Sequence, residues 1–132
     1  MYQVMIVDDE PMAASLIVNI IKRKYSNFDI MGTAYDGEEA LELMEKKGES
    51  DVLITDIQMP VMNGLKLVEE TKKRYPEVLS VIVSGYQEFE YAKQAIAFGV
   101  CDYILKPIVP SEFAKLIKKI EEKLRQKYYK ER

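Results

Sequence analysis

The fold is constrained most by continuous apolar runs that end in polar residues and alternate with segments of helical spacing. Residues 4–7 and 52–54 are unbroken aliphatic runs, and residues 78–83 form a third run rich in β-branched side chains. Such runs are typical of strands buried on both faces of a parallel sheet. Because open α/β sheets bind ligands at the carboxyl ends of their strands, Asp56, which closes the second run, is expected to face a binding crevice.

The intervening segments carry apolar side chains at the three-and-four spacing of amphipathic helices. We predict strands at about residues 1–7, 28–34, 51–56, 78–83 and 102–105, and helices at about 11–25, 38–47, 65–75, 88–98 and from 110 to past 124. The side chains predicted to face the core are Ala13, Leu16, Ile17, Ile20 and Ile21 on the first helix, and Phe89, Ala92 and Ile96 on the fourth. Five strands alternating with five helices predict an α/β fold with a doubly wound parallel sheet.

Composition excludes several classes of function. The 132 residues are enough for one domain without a disulfide or a structural metal. The chain has no histidine, which excludes Ser-His and Cys-His nucleophile pairs, and its one cysteine, Cys101, excludes an intramolecular disulfide. The net charge of -3 argues against nonspecific nucleic-acid binding. Residues 1–8 do not resemble a signal peptide and no apolar stretch could span a membrane, so a soluble cytoplasmic protein is expected.

Polar residues with complementary chemistry end four of the predicted strands. Asp8 and Asp9 follow the first strand, Asp56 the third, Ser84 the fourth and Lys106 the fifth. Three carboxylates in one crevice repel one another unless a cation joins them, and carboxylate oxygens are the ligands that Mg²⁺ prefers. An added ammonium and hydroxyl would complete a pocket for a phosphoryl group. The nucleophile in such a pocket would be Asp56, because carboxylates form acyl phosphates.

These residues resemble the response-regulator receiver domain of two-component signalling. The resemblance rests on Val-Asp-Asp-Glu at 7–10, Asp-Ile-Gln-Met-Pro at 56–60, Asn63-Gly64, Ser84-Gly85, and Tyr103 followed by Lys106-Pro107, in the family's order and spacing over nearly the whole chain. It implies a flavodoxin-like sheet with strand order 2-1-3-4-5. It also implies that Asp56 accepts a phosphoryl group from a phosphohistidine on a sensor kinase.

The same resemblance implies a magnesium site and a switch. Asp9, Asp56 and the backbone carbonyl of Gln58 would bind Mg²⁺, with Asp8 acting largely through water. Lys106 would hold a phosphoryl oxygen, and the Lys106-Pro107 bond that follows it is expected to be cis. Ser84 would move to hydrogen-bond another phosphoryl oxygen. Tyr103 would be the switch aromatic, which turns inward as the serine moves.

Two large side chains, Gln58 and Tyr86, stand two positions after the acceptor aspartate and the switch serine. In this family those positions border the path of the attacking water. We therefore predict that both side chains shield the acyl phosphate and slow self-dephosphorylation.

The fourth helix and the end of the chain carry features that suggest partners. Tyr91 and Phe98 either pack against a neighbouring element or form an apolar patch that binds a partner or a second copy through the fourth helix, fifth strand and fifth helix. Residues 1–124 are predicted to form the receiver domain, and residues 125–132 a helix end or a linker toward an output domain. Residues 86–96 resemble receivers joined to AraC-type DNA-binding domains, which implies transcription regulation and nucleic-acid binding only through that output domain.

Two other functions share some of these sequence features. A Mg²⁺-dependent phosphohydrolase could use the same aspartate, but Gln58 stands where its general acid is expected. A phosphate-independent interaction module would be indicated by loss of an acid or of Lys106, and all are present. We therefore predict a signalling domain that is modified itself, and not an enzyme acting on external substrates.

Overall fold

The computed structural model describes residues 1–85 and 89–130, and through them five strands alternate with five helices. The strands are β1 (Tyr2–Val7), β2 (Phe28–Ala34), β3 (Val52–Thr55), β4 (Leu79–Ser84) and β5 (Asp102–Leu105). The helices are α1 (Pro11–Lys24), α2 (Gly37–Lys47), α3 (Gly64–Arg74), α4 (Phe89–Ala97) and α5 (Pro110–Lys130). All strand pairs are parallel, in the order β2-β1-β3-β4-β5, which confirms the predicted fold.

The register of the sheet aligns the strand ends that carry the predicted site. Val7 of β1 pairs with Thr55 of β3, so the residues that follow them, Asp8 and Asp56, emerge side by side. On the other side of β4, Ser84 pairs with Leu105, the residue before Lys106. Four separate segments of the chain therefore meet at one edge of the sheet.

The sheet is covered on both faces, as the apolar runs predicted. Alternate residues of the central strands point to opposite sides, so that Ile6 and Ile54 join the core under α1 and α5 while Met5 and Leu53 join the core under α2. A smaller cluster of Ile57, Leu65, Val68, Ile82 and Ala95 lies between β4, α3 and α4. This third cluster is the part of the core that adjoins the carboxyl end of β3.

One predicted core residue was wrong on each of two helices, Leu16 on α1 and Ile96 on α4. On α1 the buried residues are Ala14, Ile17 and Ile21, whereas Leu16 is 51% exposed. On α4 Ala95 is buried and Ala92 is partly buried, whereas Ile96 is 75% exposed; the side chain of Phe89 lies outside the part of the chain that the structure describes. Each misplaced residue is a direct neighbour of a buried one, and one residue turns a helix by about 100°. Apolar character alone therefore did not identify the inward face.

Tyr91 of α4 and Phe98, which follows the helix, are partly buried against the third cluster, as the packing alternative predicted. Gly99, at the end of this helix, has the left-handed φ of 76° that a glycine cap allows.

The last turns of α5 contact the amino-terminal edge of the sheet. The Tyr128 ring stacks on Tyr2 with 5.9 Å between centroids, and its hydroxyl donates a hydrogen bond to Asp51. Lys127 Nζ donates to the backbone carbonyl of Glu77 at 3.3 Å. The helix thus continues beyond its buried apolar stripe, which ends at Leu124, and stays in contact with the domain. Within the part of the chain that the structure describes, every helix is too short or too polar to cross a membrane.

Replacing Thr71 with valine is expected to stabilise the fold. Thr71 lies on the buried face of α3, and its Oγ1 has no hydrogen-bond partner among the described residues. Because a buried polar atom without a partner keeps its desolvation cost, Thr71→Val should raise the free energy of unfolding by about 1 kcal/mol in urea denaturation. Thr55→Val is the matched control. Its hydroxyl donates to the Asp56 carbonyl at 2.9 Å, so that variant should be destabilised by a similar amount. Equal effects of the two substitutions would contradict this assignment.

Candidate functional site

Asp56 is held at the end of β3 by backbone contacts on both sides. Its N–H donates to the Val7 carbonyl at 2.9 Å, which continues the pairing of β1 and β3 by one residue. Its carboxylate Oδ1 accepts the N–H of Ile57 at 2.7 Å. The residue is only 7% exposed. The other carboxylate oxygen, Oδ2, faces the crevice, where it accepts a hydrogen bond from Lys106.

Asp8 and Asp9 bring two further carboxylates to the same crevice. Asp8 is 2% exposed, and its Oδ1 accepts the N–H of Glu10 at 3.0 Å. Asp9 is exposed at the rim. One carboxylate oxygen from each of Asp8, Asp9 and Asp56 lies within 4.8 Å of the others. The three acids that the sequence predicted to converge therefore do so.

Lys106 is the cation that joins two of these acids. Its Nζ donates to Asp8 Oδ2 at 2.7 Å and to Asp56 Oδ2 at 3.2 Å. Burial alone would lower the pKa of the Lys106 ammonium, but the hydrogen bond to Asp8 and the charges of Asp56 and Asp8 together outweigh burial and raise that pKa. The lysine is therefore charged at neutral pH. Its backbone N–H donates to the Ser84 carbonyl at 2.9 Å, and the Lys106-Pro107 bond is cis, as the resemblance implied.

The cluster fits a small divalent cation. One ammonium neutralises one of three carboxylates, which leaves two negative charges in a largely buried site. Mg²⁺ binds oxygens at about 2.0–2.1 Å, so ligands on opposite sides of the ion lie about 4 Å apart. One carboxylate oxygen from each of the three acids lies within 4.8 Å of the others, which is close enough for them to share one ion. Both the charge and the donor set of this site suit a metal ion such as Mg²⁺.

The predicted switch residues, Ser84 and Tyr103, lie on the neighbouring strands β4 and β5. Ser84 is fully buried at the last position of β4. Tyr103, on β5, is partly buried against the cluster that contains Ile57 and Ala95. Gln58 lies at the surface just after Ile57, and its Nε2 donates to the Tyr91 hydroxyl at 2.9 Å. Tyr86, the second predicted modulator of dephosphorylation, lies outside the described residues.

Gly64 supports the acceptor residue in a way that sequence reasoning did not identify. Its N–H donates to the Ile57 carbonyl at 2.7 Å, and a Cβ at this position would overlap the Asp56 carbonyl oxygen and lie 2.8 Å from its carbonyl carbon. Asn63 caps the helix that starts here, because its side chain accepts the N–H of Lys66 at 2.9 Å. The Asn63-Gly64 pair was interpreted from sequence as a loop signal. It is also the point where the start of α3 approaches the backbone of Asp56.

The fold and the acidic site together define an aspartate-centred α/β domain suited to phosphoryl chemistry. A family model described as the response regulator receiver domain matches residues 4–118. The chain belongs to this family and is the receiver domain of a two-component response regulator.

Its relatives include regulators of known sequence and solved structure. YesN, an uncharacterized transcriptional regulatory protein of Bacillus subtilis strain 168, is 37% identical over 107 residues, which cover 81% of this chain and 29% of YesN. The transcriptional regulatory protein HptR of Staphylococcus aureus strain NCTC 8325 is 38% identical over 108 residues, or 82% of this chain and 42% of HptR. The solved receiver domain of AraT, a response regulator from Geobacillus stearothermophilus, has a TM-score of 0.87 at 38% identity, covering 96% of this chain and 98% of that one.

The two regulators known by sequence are much longer than the matched region. The chain spans less than half the length of either YesN or HptR, whereas it spans nearly all of the AraT receiver domain. The similarity is therefore to the receiver part of those regulators.

Proposed function

We propose that Asp56 is the phosphoacceptor, which takes a phosphoryl group from a phosphohistidine of a sensor histidine kinase in a Mg²⁺-dependent reaction. The observation that carries this proposal is the Lys106 ammonium, which bridges Asp56 and Asp8 inside a cluster of three convergent carboxylates. A carboxylate oxygen of Asp56 forms a bond to phosphorus while the bond from phosphorus to the imidazole nitrogen breaks. The electron pair of the broken bond stays on the imidazole.

The residues of the cluster have separate tasks in this step. Asp8, Asp9, Asp56 and the backbone carbonyl of Gln58 would hold Mg²⁺, which supplies positive charge to the phosphoryl oxygens when bound. Ile57 N–H fixes one oxygen of the Asp56 carboxylate and thereby orients the other toward the crevice. Lys106 already lies within 3.2 Å of that second oxygen, so its ammonium can follow the negative charge onto the phosphoryl group.

Phosphorylation of Asp56 is proposed to shift a two-state equilibrium. The Ser84 hydroxyl moves to a phosphoryl oxygen and the Tyr103 ring turns inward, which changes the surface of α4, β5 and α5. A shift from a mostly inactive to a mostly active population requires about 5 kcal/mol of differential interaction. Charge-assisted contacts from Lys106 and Ser84 to the phosphoryl oxygens could supply much of it. Gln58 and Tyr86 are proposed to slow the return by shielding the acyl phosphate.

The whole protein is proposed to be a longer cytoplasmic transcription regulator. In this proposal residues 1–124 are the receiver, and residues 125–132 lead from it toward an output domain of AraC type that binds DNA. The lengths of YesN and HptR and their description as transcriptional regulatory proteins support the proposal. The surface of α4, β5 and α5 would then be available to pair with a second copy in the active state.

The experiment that tests the proposed function is incubation with Mg²⁺ and acetyl phosphate followed by intact-mass spectrometry. Wild-type protein should gain the mass of one phosphoryl group, and Asp56→Asn should gain none. Asp29→Asn, which changes an exposed aspartate on β2, is the matched control and should be modified like wild type. A phosphoryl adduct on both wild type and Asp56→Asn, or on neither, would refute the proposal, and sustained release of phosphate from phosphate monoesters would favour a hydrolase instead.

A further inference from the structure

A hydrogen bond joins the loop after the acceptor aspartate to the first turn of α4. Gln58 Nε2 donates to the Tyr91 hydroxyl at 2.9 Å, although the two residues are 33 positions apart in the chain. Gln58 follows Asp56 by two residues, and Tyr91 lies on the third residue of α4. The bond therefore connects the immediate surroundings of Asp56 to a helix that contributes no aspartate to the cluster of Asp8, Asp9 and Asp56.

Both side chains lie in an open cleft beside the acidic cluster. The cleft has a volume of about 410 Å³ and is lined by Asp9, Ile57, Gln58, Met59, Asn63 and Tyr91. A water molecule occupies about 30 Å³ of liquid, so the cleft has room for several waters. Because Asp9 belongs both to the cleft and to the cluster, water in this cleft lies next to the proposed phosphoryl site.

The two partners of the hydrogen bond differ in their freedom to move. The Tyr91 ring is partly buried against the cluster of Ile57, Leu65, Val68, Ile82 and Ala95, and this packing fixes the position of its hydroxyl. Gln58 is exposed, and a free glutamine side chain has many rotamers in water. The hydrogen bond therefore ties the Gln58 side chain to a tyrosine whose position is set by packing.

We propose that Tyr91 is a positioning residue that holds the Gln58 side chain across this cleft and so prolongs the lifetime of the phosphorylated state. The inference rests on the proposed function, because it concerns hydrolysis of the acyl phosphate on Asp56. In that hydrolysis a water oxygen forms a bond to phosphorus and the bond from phosphorus to the Asp56 oxygen breaks. The carboxylate is regenerated and orthophosphate leaves. Of the two protons of the water, one stays on the orthophosphate and the other is released to solvent. Gln58 obstructs the approach of that water only while Tyr91 holds it.

The test measures the loss of the phosphoryl group by intact mass in excess Mg²⁺ after acetyl phosphate has been removed. Tyr91→Phe keeps the ring and removes only the hydroxyl, and it should shorten the half-life about two- to tenfold, the range that corresponds to one neutral hydrogen bond. Gln58→Met keeps the length of the side chain without its amide and should shorten the half-life similarly. Tyr129→Phe, which changes an exposed tyrosine near the C-terminal end of α5, is the matched control and should decay like wild type.

A double-mutant cycle separates positioning from a general structural effect. Because Tyr91 is proposed to act through Gln58, the Gln58→Met/Tyr91→Phe double variant should decay no faster than Gln58→Met alone. The initial rate of modification by acetyl phosphate should change less than twofold in Tyr91→Phe, because Tyr91 is not part of the acidic cluster. An unchanged half-life in Tyr91→Phe, or multiplicative effects in the double variant, would overturn the inference. If wild type itself acquires no phosphoryl group, the proposed function fails first, so the two failures are distinguishable.

Discussion

Replacing Gly64 with alanine is expected to lower the free energy of unfolding by about 3 kcal/mol and to abolish the modification of Asp56. The added Cβ would overlap the backbone carbonyl of Asp56, and a backbone atom cannot rotate away as the end of a side chain can. Relief requires that α3 move away from β3 or that the acceptor residue shift, and overpacking of this kind costs about 1–3 kcal/mol even where flexible groups can adjust. Urea denaturation and phosphorylation by acetyl phosphate measure the two effects.

The control for this prediction is Gly32→Ala on β2. A Cβ there would meet Leu43 Cδ1 at 3.6 Å, an ordinary van der Waals distance, so this variant should remain phosphorylatable with a far smaller change in stability. If Gly64→Ala were as stable as Gly32→Ala and were modified at the wild-type rate, the close approach of α3 to Asp56 would not be a feature of the protein.

Replacing Lys106 with methionine is expected to slow the modification of Asp56 by about a hundredfold or more. Removal of one preorganised charge or donor from a phosphoryl or acyl transfer site costs about 10²–10³ in rate. The same change leaves Asp8 and Asp56 without their shared cation, so the apparent Kd for Mg²⁺ should fall as the metal becomes the main counter-charge. Initial rates from intact mass and a Mg²⁺ titration measure these opposite effects.

Opposite effects on rate and metal affinity distinguish a charge role from damage to the fold, because a misfolded site would lose both. Lys119→Met is the matched control. Lys119 is an exposed lysine whose Nζ lies 3.7 Å from Asp102 Oδ2, and its loss should alter neither quantity, since exposed ion pairs contribute little. Weaker Mg²⁺ binding by Lys106→Met would contradict the electrostatic account of the cluster.

The elements that could be predicted are those whose signals are local in sequence. The runs at 4–7 and 52–54 identify buried strands because successive side chains face opposite sides of a sheet that is covered on both, so all of them must be apolar. Met5 and Ile6 confirm this, since they join two different core clusters. The convergence of Asp8, Asp9, Asp56 and Lys106 followed from one geometric rule, that parallel strands present their carboxyl ends at the same edge.

The features that sequence did not provide depend on contacts between distant segments. Leu16 and Ile96 are apolar residues next to buried ones, and only the docking of the helices decides which neighbour turns inward. The requirement for glycine at position 64 comes from the backbone of Asp56, which has no sequence signature. Gln58 and Tyr91 carry no joint signal either, because polar pairs 33 residues apart are indistinguishable from ordinary surface residues.

The most direct test of the central claim is to locate the phosphoryl group on the chain. After reaction with acetyl phosphate and Mg²⁺, borohydride reduction converts a phosphorylated aspartate to homoserine, which peptide mass spectrometry assigns to one residue. We predict homoserine at position 56 alone, and no conversion when Mg²⁺ is removed by a chelator. Homoserine at position 8 or 9, or conversion at position 56 that is independent of the metal, would contradict the assignment of Asp56 as the acceptor and of its neighbouring acids as the metal site.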